Sequence, residues 1–98
     1  MNKFIITESG VLEFGDVQLH RELIPHGENT CHGGGFWRIN HQRGIIELYG
    51  RSFDFGAPEW SYLKRINETI IPASLGYPMF YKREFCGEEI LEPIELQQ

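Results

Sequence analysis

The sequence predicts one small α+β domain: a mostly antiparallel or mixed β-sheet with one or two helices packed on it. Three observations carry this. Phe36–Asn40 and Ile45–Tyr49 are β-prone runs joined by the turn Asn40–Gly44, the pattern of a hairpin. Trp60, Leu63, Ile66, Ile70 and Ile71 recur at helical spacing behind Ala57-Pro58, and proline is favoured in a first helical turn. The order strand, strand, short helix, strand, strand, helix, strand belongs to the α+β class.

The elements follow in turn. Lys3–Thr7 reads as a strand, Ser9-Gly10 as a turn and Val11–Phe14 as a second strand. Gly15-Asp16 breaks the alternation, and Asp16 suits the cap of a short helix Val17–Ile24. Its apolar residues fit an alternating period about as well as a helical one. Pro25 closes that segment, and 27–35 reads as loop with three consecutive glycines at Gly33, Gly34 and Gly35. After the hairpin, Gly50–Gly56 forms a short loop and Pro58–Ile71 a helix that Pro72 and Gly76 end. Met79–Phe85 is the last strand. Residues 1–87 form the domain, and 88–98 an acidic tail that is loose or an edge element.

The chain has 98 residues, 41% of them apolar and 23% charged, as in ordinary globular proteins. This length suits one domain. No apolar run reaches bilayer length, and Glu8 follows the N-terminus too closely for a signal peptide. A cytoplasmic address without membrane association is expected. Cys31 and Cys86 fit a reducing compartment, although two cysteines leave a disulfide open. The net charge is −5, and Glu88, Glu89, Glu92 and Glu95 in the tail supply most of it. The body is nearly neutral and carries no basic stripe, so no nucleic-acid partner is expected.

The segment Tyr49–Pro58 carries the strongest chemical signal. It joins a strand to the expected helix N-terminus, where unpaired amides and the helix dipole favour an anion. Ser52 adds a hydroxyl and Arg51 a fixed positive charge; the bland alternative is a plain connecting loop. His20 can take or give a proton near neutral pH, while a half-exposed histidine without a role is its bland reading. His26, His32 and His41 fall in or beside loops and read as solvent-facing. His20, His26, Cys31, His32 and Cys86 match no metal-ligand spacing, so no metal is assigned. Trp37, Phe53, Phe55, Trp60, Phe80 and Tyr81 read as core aromatics.

Cys31-His32-Gly33-Gly34-Gly35, then a strand, a turn with His41-Gln42, and Ile45–Tyr49 leading into Gly50-Arg51-Ser52-Phe53-Asp54-Phe55-Gly56-Ala57-Pro58 resemble the phosphohistidine phosphatase (Janus/Ocnus) family. The resemblance covers roughly residues 31–85, with a looser extension back to His20. It implies a small α/β domain that removes phosphate from phosphohistidine on proteins without a metal or other cofactor. It implies His20 as the catalytic base or nucleophile. It also implies that Ser52 and the backbone at Phe53 and Asp54 hold the phosphate, with Arg38 or Arg51 offsetting charge. The expected partner is a phosphohistidine-bearing protein, and the expected state a monomer.

The chain departs from the family pattern. The stretch from His20 to Gly33 is shorter than the family's, Phe36 stands where the family has arginine, and Asp54 places a carboxylate beside the anion site. A non-catalytic phosphate-, anion- or partner-binding module therefore remains the alternative.

Overall fold

The computed structural model describes residues 1–67 and 76–95. Its seven strands are β1 Asn2–Thr7, β2 Val11–Asp16, β3 Cys31–Asn40, β4 Ile45–Tyr49, β5 Arg65–Ile66, β6 Met79–Phe85 and β7 Glu88–Pro93. They form one mixed sheet in the order β5-β2-β1-β3-β4-β6-β7, curled into a half-barrel. Antiparallel pairing joins β1 to β2 and β3, β3 to β4, and β6 to β7; β2 with β5 and β4 with β6 are parallel.

The α+β expectation is corrected: no helix of seven or more residues exists among the described residues, only two 3₁₀ turns. Where the helix Pro58–Ile71 was expected, the chain makes one 3₁₀ turn, Trp60–Tyr62, and then extends as β5. Positions 68–71 and Pro72 lie outside the described residues. The apolar spacing of three at Trp60, Leu63 and Ile66 fits a 3₁₀ turn followed by a strand as well as it fits a helix. Ser61, Asn67, Thr69 and the β-branched isoleucines lower the helix propensity of the segment. Pairing with the sheet offers more: the amides of Lys64 and Asn67 donate to Gly10 O at 2.8 Å and Leu12 O at 3.1 Å. Meanwhile Leu63 is fully buried and Trp60 stacks on Phe4.

The first expected helix shrinks in the same way. Val17–Ile24 contains only the 3₁₀ turn His20–Leu23, and its start is capped by Glu22, whose carboxylate accepts the Gln18 and Leu19 amides at 3.1 and 2.7 Å. Asp16 does not cap this turn. It ends β2, which runs through Gly15, and pairs with the Met1 amino group. Cys31–Gly35, expected as loop, is the first half of β3.

The hairpin takes the expected register, from Phe36 opposite Tyr49 to Asn40 opposite Ile45. Because side chains alternate across a strand, Phe4, Ile6, Leu12, Phe14, Trp37, Ile46 and Leu48 share the concave core face with Leu63. Lys3, Phe36, Arg38, Glu47 and Tyr49 take the other face. β7 forms one edge of the sheet, so Glu88–Pro93 is hydrogen-bonded to β6.

Candidate functional site

The triple glycine is the structural floor of the site. A Cβ on Gly34 would lie 2.2 Å from Phe4 O, and one on Gly35 2.5 Å from Tyr49 O. Only bare backbone fits there, which lets neighbouring elements reach the strand's peptide groups. Two of them do. His20 Nε2 donates to Gly35 O at 2.8 Å. The loop Ser52–Gly56 also docks on Gly34: the Ser52 amide donates to Gly34 O at 2.8 Å, and the Gly34 amide to Gly56 O at 3.2 Å.

These two attachments shape a cleft of ≈ 540 Å³ lined by Lys3, Leu19, His20, Phe36, Arg51, Phe53 and Asp54. His20 is 5% exposed, and its ring meets Phe36 edge-on at 5.4 Å. Burial holds its pKa below the ordinary value, and Lys3 adds to this; the Gly35 bond and Asp54 work in the opposite sense. The imidazole is therefore neutral at pH 7. With Nε2–H given to Gly35, the lone pair sits on Nδ1, which makes no hydrogen bond among the described residues.

The loop itself is tightly closed. Gly56 donates back to Ser52 O at 2.9 Å, and Ser52 Oγ accepts the Phe55 amide at 3.1 Å. Ser52 is fully buried, so its hydroxyl serves the turn beneath the cleft instead of facing into it. The amides of Phe53 and Asp54 are left out of this bonding. The Phe53 side chain, expected in the core, is completely exposed. Asp54 Oδ2 pairs with Arg21 Nη2 at 3.1 Å. No helix follows the loop, so the dipole that the sequence reading placed here is missing.

The structure thus brings His20, Arg51, Phe53 and Asp54 together and leaves Arg38 elsewhere. Arg38 lies on the same strand face as Phe36, stacks over Tyr49 at 4.8 Å, and gives its Nη2 to Glu47 at 3.0 Å. It lines a neighbouring cleft of ≈ 470 Å³ with Tyr49, Tyr81, Lys82 and Arg83, and Arg51 stands on the border of both clefts. Glu47 is 3% exposed, and the Asn40 hydrogen bond, helped by Arg38 and Lys82, holds its carboxyl below the usual range against the cost of burial. A third cleft beside Trp60 and Tyr81 has Glu92 and Glu95 as its charged lining, which makes it a poor anion site.

Lys3 and Arg21 also stand at the site. The same-face register of Lys3 opposite Phe36 was the available signal for the first; nothing local signals the second. Of the other histidines, His32 stacks flat on Tyr62 at 3.7 Å and His41 bonds the Tyr77 hydroxyl at 3.2 Å. Among the described residues no three His, Cys, Asp or Glu side chains cluster as metal ligands, and no helix is long and apolar enough to cross a membrane.

No family model, curated protein or solved structure matches the chain. The likeness to phosphohistidine phosphatases rests on the motif residues quoted for it.

Proposed function

We propose that the Lys3–His20–Arg51 cleft binds a phosphoryl-type anion. The observation that carries this reading is the Arg51 guanidinium. Arg21, Arg38 and Arg83 each have a carboxylate partner; the side chains of Arg43, Arg51 and Arg65 make no hydrogen bond or ion pair among the described residues, and of these three only Arg51 lines the cleft. It lines the same cleft as Lys3 and the uncommitted Phe53 and Asp54 amides. A guanidinium and unpaired backbone N–H groups lining one cleft are the kinds of donor that hold a tetrahedral oxyanion. The cysteines Cys31 and Cys86 are unpaired, in keeping with a cytoplasmic setting for this role.

A phosphate titration followed by amide resonances tests the reading. The expected result is shifts at Arg51–Gly56 and His20 in the millimolar range, weakened at least fivefold in Arg51→Ala. Shifts spread evenly over the surface, or unchanged in Arg51→Ala, refute it.

One observation favours a second, catalytic reading, the metal-independent hydrolysis of phosphohistidine on a protein partner. His20 is held neutral in a single tautomer with Nδ1 uncommitted, the state a base or nucleophile needs. Against it, Ser52 is withdrawn and Asp54 sets a negative charge in the cleft. Phosphate release from a phosphohistidine substrate, abolished in His20→Ala, supports catalysis. No release by the wild type leaves binding alone.

A further inference from the structure

Phe53 is the least expected side chain in the molecule. It is fully exposed at the tip of the Ser52–Gly56 loop, and that loop is no loose tether. Two bonds join its ends, one serine hydroxyl braces its middle, and two more bonds fasten it to Gly34. The backbone beneath the phenyl ring is thus fixed in place beside Arg51. One exposed apolar side chain is ordinary, but one that shares a cleft with other apolar groups and with charged residues marks a binding surface.

Two further features belong with Phe53. Phe36 lines the same cleft, with Lys3 Nζ 5.8 Å from its ring centre. Leu19, 49% exposed, stands on the cleft wall. The cleft of ≈ 540 Å³ falls within the size range of small-molecule sites, which is about 300–1,000 Å³. Inorganic phosphate would occupy a small part of it. The cationic groups account for the anion, and the aromatic and aliphatic groups remain for whatever the anion is attached to.

Resting on the anion-binding reading, we infer that the ligand is a small molecule carrying both an anion and a planar aromatic group, with its ring packed against Phe53 and Phe36 and its charge at Arg51 and Lys3. A flat ring suits these residues better than an alkyl chain, because stacked or edge-on aromatic contacts gain energy beyond the area they bury. Two sources offer a ring and a phosphate: aryl phosphates, which bear the phosphate on the ring, and nucleoside monophosphates, which bear it on the ribose.

The experiment compares dissociation constants of methyl phosphate, phenyl phosphate and adenosine monophosphate by amide titration, in the wild type and in Phe53→Ala. The expected result is that phenyl phosphate binds about tenfold tighter than methyl phosphate, and that this ratio falls towards one in Phe53→Ala. Adenosine monophosphate at least as tight as phenyl phosphate assigns the nucleotide source; a clearly weaker value assigns the aryl phosphate. Since Phe53 makes no buried contact, the variant stays folded, which circular dichroism verifies. Equal binding of methyl and phenyl phosphate overturns the inference while leaving the anion site standing. A preference that survives in Phe53→Ala also overturns it. Absence of binding by all three removes the anion-binding reading and the inference together.

Discussion

Arg21 Nη2 and Asp54 Oδ2 meet at 3.1 Å, tying the turn that carries His20 to the loop that carries Phe53. The pair is 33 residues apart in sequence and largely exposed, with side-chain exposures of 62% and 35%. Such a pair contributes little to stability, about 0–1 kcal/mol. Its effect on a ligand is greater, since Asp54 also lines the cleft.

Asp54→Asn is therefore expected to strengthen phosphate binding by about three- to tenfold, as a like charge leaves the site. Stability should change by no more than about 0.5–1 kcal/mol. Titrations of both proteins at low ionic strength check this. Weaker binding in the variant would show that Asp54 orients the cleft instead of opposing the anion.

The pH dependence has a definite sign. The pKa values of His20 and Glu47 are both lowered in the folded chain, so the unfolded chain binds protons more readily than the folded one. Stability is thus full above the unfolded values, near 6.5 for histidine and 4.3 for glutamate, and is lost as pH falls through the folded values. Denaturant midpoints should decline from about pH 6.5 downward and more steeply below about pH 4.5. The upper limb should vanish in His20→Asn and the lower in Glu47→Gln. Sulfate, which does not titrate in this range, should bind more tightly as His20 gains its proton. Sulfate affinity that stays flat as pH falls from about 8 to the onset of acid unfolding contradicts a role for His20 in the cleft.

Gly34→Ala places a methyl group against Phe4 O and Ile5, both of which belong to the sheet. The cost should be about 1–3 kcal/mol or more. Because Gly34 also holds the Ser52–Gly56 loop through two hydrogen bonds, phosphate shifts in that loop should weaken in conditions where the variant remains folded. Thermal unfolding and the titration together check both halves.

At the β6–β7 turn the reverse is expected. Cys86 and Gly87 both have positive φ, 53° and 78°, between the paired residues Phe85 and Glu88. This is the two-residue turn with left-handed backbone that asparagine-glycine fills best. Cys86→Asn should raise stability by up to about 1 kcal/mol, seen as a higher unfolding midpoint.

The sequence by itself determined the elements whose signal is local. The hairpin Phe36–Tyr49 was legible because two β-prone runs flank a turn of fixed length. The strands β1 and β6 were legible from β-prone composition. It also singled out His20 and the Tyr49–Pro58 segment. Only the tertiary structure decided the rest. Trp60, Leu63 and Ile66 have a spacing that two local structures share, and the open edge of β2 chose the strand by offering Gly10 O and Leu12 O. The inward turn of Ser52, the full exposure of Phe53 and the meeting of His20 with Gly35 all depend on the curl of the sheet. Spacing along the chain records the order of these residues and their types. It does not record which backbone groups a distant strand leaves unpaired, and here those groups settled both the fold of the second half and the shape of the cleft.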